Sequence, residues 1–242
     1  MSLPALPVPR LVLWRHGRTE WNAAGRFQGQ LDPPLDDVGR RQAVRTAPHL
    51  AAPLREGTLV VSSDLVRAAE TAVALTDVLG VPLRLDSRLR EVGMGSWEGL
   101  TREEVADRHP EQYADWLAGR PITGRGGEEA ADVPERALAA LRDLPEAPAA
   151  VVVTHGGTSA RLLEALLGLG PEHRRVFGPL ANCAWSELVE QSGRWRLLRH
   201  NTSAPELPDG PPPAPRPGAR RPDAGASPEE GAPVPTQDAD AL

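Results

Sequence analysis

Lysine is missing from this sequence: every one of its 27 basic residues is arginine. The absence excludes Schiff-base chemistry, a P-loop lysine and a kinase-type ATP lysine. Arginine's planar fork still suits phosphate or carboxylate held in a bidentate way. Cysteine is almost as scarce. With Cys183 alone, no internal disulfide framework and no cysteine-based zinc cluster can form, which points to a reducing, cytoplasmic setting. Basic runs are missing too, so nothing marks a surface for nucleic acid or anionic membrane. No apolar stretch approaches the roughly 20 residues that span a bilayer. Residues 1–9 have no basic start and carry three prolines where a signal peptide needs an apolar helix.

The 242 residues, 40% hydrophobic and 25% charged, suffice for one domain with a full core. Net charge is -6, and residues 204–242 hold seven acids against three arginines, which leaves the body only weakly acidic. That stretch also carries 11 prolines in 39 residues and few large apolar side chains. It reads as a disordered Pro/Ala/Gly-rich acidic tail behind a folded domain over residues 1–203.

Within the body, residues 10–15 form a short apolar run that reads as a buried strand and stops at His16-Gly17. Asp36 can cap a helix in which Val38, Ala43, Val44, Ala47 and Leu50 recur at helical spacing. Residues 58–62 predict a second buried strand, 65–79 a helix closed by Gly80, and 82–85 a short third strand. Residues 101–118 are helical but broken at Pro110, and 119–127 are too rich in Gly and Pro to be regular. A helix over 132–144, a central strand over 149–154, a helix over 158–167 and a hairpin of 184–189 with 195–198 complete the pattern. Alternation of strand and helix predicts the α/β class, a three-layer α/β/α sandwich on a mostly parallel mixed sheet.

Two of these strands end in histidine followed by glycine, at Arg15-His16-Gly17 and Thr154-His155-Gly156-Gly157. In open α/β sheets the ligand crevice lies at the carboxyl ends of the strands, so both imidazoles stand where a site is expected. Glycine after each lets the backbone approach a ligand, which makes Gly156 a substrate-binding candidate. Arg15 adjoins His16, and Arg67 falls in the first turn of the helix after the second strand, at the same sheet edge. Either histidine alone is commonly structural, and Arg67 alone reads as a solvated helix residue; together they suit a phosphate site. Glu91, after the third strand and before a glycine-rich turn, can protonate a leaving alkoxide. Glu98, Glu103 and Glu104 read as capping or solvated carboxylates. His49, His109, His173 and His200 show no H-x-H or H-E-x-x-H spacing, so no metal site is expected.

The run Leu13-Trp14-Arg15-His16-Gly17-Arg18-Thr19-Glu20-Trp21-Asn22, continuing through Arg26-Phe27-Gln28-Gly29, resembles the Arg-His-Gly signature of the histidine phosphatase superfamily. That superfamily also contains cofactor-dependent phosphoglycerate mutases. Residues 62–72 resemble its second arginine block, 89–99 its acid block and 154–157 its second-histidine block, in family order over about residues 10–200. The resemblance implies a phosphoglycerate mutase-like fold, His16 as nucleophile, and Arg15, Arg67 and His155 as phosphate clamp. It makes Glu91 the general acid and then base, and sets Asn22, Gln28 and Gly29 against phosphate or substrate. It implies no metal and no cofactor, a small phosphorylated metabolite as partner without nucleic acid or membrane, and allows a homodimer.

Mutases carry an inserted basic segment after the acid block. Here residues 101–119 are short and bear Glu103, Glu104, Asp107 and Glu111, so they resemble the phosphatase branch. Residues 26–32, Ser62-Ser63-Asp64-Leu65 and Asn182-Cys183-Ala184-Trp185 look most like the glucosyl-3-phosphoglycerate phosphatase subfamily, although phosphatases of small sugar phosphates and of α-ribazole share most blocks. Met94-Gly95-Ser96 and the acidic tail depart from the pattern. The alternatives are mutase-type phosphoryl transfer and a catalytically silent phospholigand-binding protein.

Overall fold

The computed structural model describes residues 5–170, 173 and 176–205. The first strand, β1 (Arg10–Arg15), is followed by a single helical turn, α1 (Glu20–Ala23), and by α2 (Asp37–Ala51). Asp36 caps α2 as expected, its side chain accepting the Gly39 amide at 2.7 Å. Then come β2 (Leu59–Ser62), α3 (Val66–Leu79) and β3 (Leu83–Leu85). Gly80 ends α3 in the left-handed region at φ 65°, where a side chain would be strained. The broken helical stretch resolves into α4 (Arg102–Arg108) and α5 (Pro110–Leu117), with Pro110 opening the second piece.

The remaining elements are α6 (Asp132–Arg142), β4 (Ala150–Thr154), α7 (Gly156–Leu166), β5 (Trp185–Gln191) and β6 (Arg194–Thr202). The six strands form one sheet in the order β3-β2-β4-β1-β5-β6. The pairs β1 with β4, β4 with β2 and β2 with β3 are parallel, whereas β5 and β6 join as an antiparallel hairpin.

Alternate side chains of the central strands bury opposite faces. Leu11, Leu13 and Val152 pack with Leu141 of α6 and with Leu162 and Leu166 of α7. Val12, Trp14, Val151 and Val153 pack with Ala43 and Ala47 of α2 and with Ala72 and Leu75 of α3. Two helical layers with a mostly parallel mixed sheet between them are the sandwich that the sequence predicts. A third cluster of Phe27, Met94, Trp97, Val105 and Trp116 backs the loops between β3 and α6.

Several boundaries differ from the sequence reading. Helix α6 stops at Arg142 and β6 continues to Thr202. Helix α7 begins at Gly156, two residues before Thr158. Glycine's poor helix propensity hides that start, because the first turn is fixed by a distant carboxylate rather than by local preference. Beyond Pro205, the tail lies outside the described residues.

Candidate active site

Because β1, β2 and β4 run parallel, their carboxyl ends meet at one sheet edge, and the residue after each strand faces its neighbours there. His16 follows β1, Ser63 follows β2 and His155 follows β4. Arg15 pairs with Thr154 in the β1–β4 register, and the His16 amide donates to the Thr154 carbonyl at 3.0 Å. The two imidazoles therefore lie side by side, fully buried, with ring centroids 5.1 Å apart.

Hydrogen bonding distinguishes the nitrogens of each ring. His16 Nδ1 stands 2.7 Å from the Gly17 carbonyl, which can only accept, so Nδ1 carries the proton. Nε2 is left with its lone pair, buried and without a hydrogen-bond partner. Gly17 is required here, since a Cβ would run into the Gly39 carbonyl at the start of α2. His155 shows the complementary pattern. Its Nε2 lies 2.9 Å from Ser63 Oγ, which also accepts the Leu65 amide at 3.3 Å. The buried serine proton therefore goes to Nε2, leaving Nδ1–H as a donor without a partner in the protein.

Arg15 and Arg67 are both fully buried beside these rings. Arg15 Nη1 donates to the Leu180 carbonyl at 2.6 Å. Arg67 is held by the loop after α1, through the carbonyls of Leu31 (2.7 Å) and Gly29 (2.8 Å). Gly29 adopts φ 52°, and a Cβ there would collide with the Glu98 side chain. Its visible task is thus to aim Arg67.

Burial, then the charges of Arg67 and Arg15, holds His16 well below the ordinary imidazole value of 6.5, against the raising effect of the Gly17 hydrogen bond. Burial and Arg67, followed by His16 and Arg15, depress His155 in the same direction. Both rings stay neutral in the folded free protein while their unfolded counterparts take up protons below about pH 6.5. The sign follows: stability is fully present above that value and falls with pH, by up to about 1.4 kcal/mol per pH unit for each ring, until the folded pKa is reached. In an NMR titration the ring signals of His16 and His155 should hold still between about pH 7.5 and 5.5. A midpoint near 6.5 for His16 would contradict a neutral buried ring.

Glu91 arrives from the opposite direction. It follows a 3-10 turn after β3, and its buried carboxylate sits on the amino end of α7. Oε1 accepts from the amides of Val92 (2.8 Å) and Thr158 (2.9 Å) and from the Thr158 hydroxyl (3.3 Å). Oε2 accepts only the Gly157 amide, at 3.0 Å, so it keeps a free lone pair for a proton. Gly157 is tightly specified: a Cβ there would lie 2.8 Å from Glu91 Oε1 and 2.9 Å from Val92 Cγ2. Gly157→Ala should displace the carboxylate and lower kcat on the order of 10- to 100-fold with little change in melting temperature, as checked by steady-state kinetics and thermal denaturation.

Asn22, Gln28 and Gly156 are all brought to this edge. Asn22 Oδ1 accepts from the Thr19 amide (3.1 Å) and from Asn182 Nδ2 (3.2 Å), while its Nδ2 is buried without a partner. Gln28 is fully buried against Thr19 at 3.1 Å. Gly156 is the buried first residue of α7. Glu104 instead caps α4 with Thr101, and Glu98 accepts the amides of Gln30 and Met94 at 3.0 Å each. Among the described residues no three His, Cys, Asp or Glu side chains converge as metal ligands.

Sequence reasoning overlooked three contributors. Ser63 sets the His155 tautomer. Arg136 of α6 donates to the Glu91 carbonyl at 3.0 Å, and Glu128 grips Arg136 at 2.7 Å and the Gly93 amide at 2.7 Å. Together they brace the acid-bearing loop. The one signal available was Gly126-Gly127 before Glu128: a Cβ on Gly127 would meet the Gly93 carbonyl.

Comparison with known proteins gives the family. Residues 11–203 match the family described as the histidine phosphatase superfamily (branch 1). A glucosyl-3-phosphoglycerate phosphatase of Mycolicibacterium vanbaalenii is 41% identical over 219 residues, covering 81% of this chain and 96% of the relative. The protein of the same name from Mycobacterium tuberculosis is 38% identical over 215 residues, covering 81% and 95%. The solved structure of a mycobacterial glucosyl-3-phosphoglycerate phosphatase with VO3 superposes with a TM-score of 0.72 at 40% identity, covering 81% of this chain and all of that one. With a family match across the whole described body and relatives of this similarity, the chain belongs to the histidine phosphatase superfamily, branch 1.

Proposed function

We propose that the chain hydrolyses a small phosphomonoester through a phosphohistidine on His16, with glucosyl-3-phosphoglycerate as substrate. The observation that carries this is His16 Nε2: a buried imidazole nitrogen with its lone pair available, set among two buried arginines and a second neutral histidine. A phosphate dianion bound there meets both guanidinium groups and the second imidazole at once. Nε2 attacks phosphorus in line, while Arg15, Arg67 and the Nδ1–H of His155 stabilise charge on the equatorial oxygens. Glu91, protonated at Oε2, gives its proton to the leaving oxygen. The same oxygen then takes a proton from water as the water attacks phosphohistidine, which frees His16 and phosphate. Atoms and charge balance over the two steps without a cofactor.

The substrate reading rests on the relatives named above and on the blocks shared with them. Water, rather than a returning phosphoglycerate, is taken as the acceptor because the segment after the acid block forms only the short helices α4 and α5. Phosphate release should be measured over glucosyl-3-phosphoglycerate, 3-phosphoglycerate and simple sugar phosphates, with mutase turnover assayed in parallel. Isomerisation of 3-phosphoglycerate faster than phosphate release would move the chain to the mutase reading. Complete absence of turnover would make it a phospholigand-binding protein.

A further inference from the structure

A cavity of about 260 Å3 opens beside the phosphate cluster and touches it only at Glu91 and Gly157. None of His16, His155, Arg15 and Arg67 lines it. Since Glu91 is the group that protonates the bridging oxygen, this is the space left for the alcohol portion of the substrate. Its walls are largely apolar, with Val92, Met94, Trp116 and Ile122 among them, and its charged lining consists of Arg120, Arg125 and Arg161 together with Glu91, Glu128 and Glu129.

Two of the three arginines are already neutralised. Arg120 pairs with Asp115 at 2.8 Å, and Arg161 with Glu164 at 2.7 Å. Arg125 differs. It is only 8% exposed and has no ion pair among the described residues. Its guanidinium meets the Met94 sulfur at 3.1 Å and the carbonyls of Glu128 and Gly93 at 3.1 and 3.3 Å, over the Trp97 ring at 5.6 Å. Its Nε–H is buried without an acceptor. The nearby acids are committed elsewhere, Glu128 to Arg136 and Glu98 to backbone amides, while Glu129 is exposed. Burial pulls the Arg125 pKa down from its ordinary value, against the raising charges of Glu129, Glu98 and Glu128, none of which comes within ion-pair distance.

Buried charges in proteins are ordinarily paired, and Arg125, with no carboxylate in ion-pair contact among the described residues, can take an anionic group from the cavity it lines. We infer that Arg125 is the specificity-determining residue for the leaving group, and that it recognises a carboxylate carried by the alcohol. This rests on the phosphatase reading and deepens it. A glycerate-like leaving group places a carboxylate within a few bonds of the phosphoester, so one molecule can engage the phosphate cluster, Glu91 and Arg125 at once. The apolar walls hold whatever larger substituent the glycerate bears.

The test compares 3-phosphoglycerate with glycerol 3-phosphate, which share a three-carbon frame and differ in carboxylate against hydroxymethyl. Wild-type kcat/KM should favour 3-phosphoglycerate at least tenfold. In Arg125→Met the ratio of the two values should fall at least tenfold, mainly through the KM for 3-phosphoglycerate, and Arg125→Lys should restore part of it. Both substrates losing activity in proportion, or a wild-type ratio near one, overturns the inference; the wild-type ratio remains decisive if Arg125→Met does not fold. Calorimetric titration of both compounds into His16→Ala protein separates this from the parent reading. Tenfold tighter binding of 3-phosphoglycerate that depends on Arg125 upholds the inference even if wild-type turnover is absent. Turnover without that discrimination refutes the inference and leaves the phosphatase reading in place.

Discussion

Replacing His16 by alanine should abolish turnover, with kcat falling on the order of 10^4-fold or more, and should eliminate the acid-labile phosphoenzyme that the wild type forms with radiolabelled substrate. The size follows from the site's construction. Arg15, Arg67 and His155 remain to bind phosphate, but among the described residues no other imidazole nitrogen at the site is placed with a bare lone pair. His155 cannot substitute, because its Nε2 is occupied by Ser63 and its Nδ1 carries the proton. Water could still attack the bound ester with the arginines stabilising charge, which sets a small residual rate. Rapid alkaline quenching, followed by measurement of base-stable label, reads the intermediate directly. Label persisting in the alanine variant would show that another residue is phosphorylated and that the His16 assignment is wrong. Binding of inorganic phosphate should survive, which distinguishes loss of chemistry from loss of fold.

The second large effect is expected for Glu91→Gln. Glutamine has nearly the same shape and can still accept the Val92 and Thr158 amides through its carbonyl, but its NH2 then confronts the Gly157 amide and carries no transferable proton. For alkyl phosphates, whose alkoxide cannot leave unprotonated, kcat should fall about 10^2- to 10^4-fold. For p-nitrophenyl phosphate the phenolate departs unaided, so His16 still becomes phosphorylated. The base for the second step is missing, however. A stopped-flow trace should show a burst of one equivalent of nitrophenol followed by slow turnover. Equal losses for both ester types without a burst would mean that Glu91 positions the helix α7 terminus and transfers no proton. Gly157→Ala probes the same carboxylate from the opposite side, and its smaller effect reflects displacement rather than removal of the acid.

The two histidines were legible in the sequence because each sits in a local pattern, an apolar strand followed by His-Gly. A strand's carboxyl end is defined by residues next to one another in the chain. Helices α2 and α3 were legible for a similar reason, through Asp36 before an apolar stripe and Gly80 after one. Glu91 was legible as a residue but not as a geometry. Its partners Gly157 and Thr158 lie 66 and 67 residues away, and the glycines that open α7 argue locally for a loop. Ser63 and Arg136 were overlooked for the same cause: a serine after a strand and an arginine on an amphipathic helix have unremarkable local contexts. Arg125, inside a stretch readable only as irregular, acquires meaning from the cavity it lines and from carboxylates that approach it without forming an ion pair.

By itself, then, the amino-acid order determined the α/β/α class, the superfamily and which residues stand together at the carboxyl ends of the strands, since strand ends and signature blocks are properties of adjacent residues. Only the tertiary structure decided which nitrogen of His16 keeps its lone pair, which oxygen of Glu91 accepts a single amide, and which arginine lines the neighbouring cavity without an ion pair among the described residues. Those are set by hydrogen bonds and burial between segments that packing brings together, and neither periodicity nor composition encodes which donor will meet which acceptor across the fold.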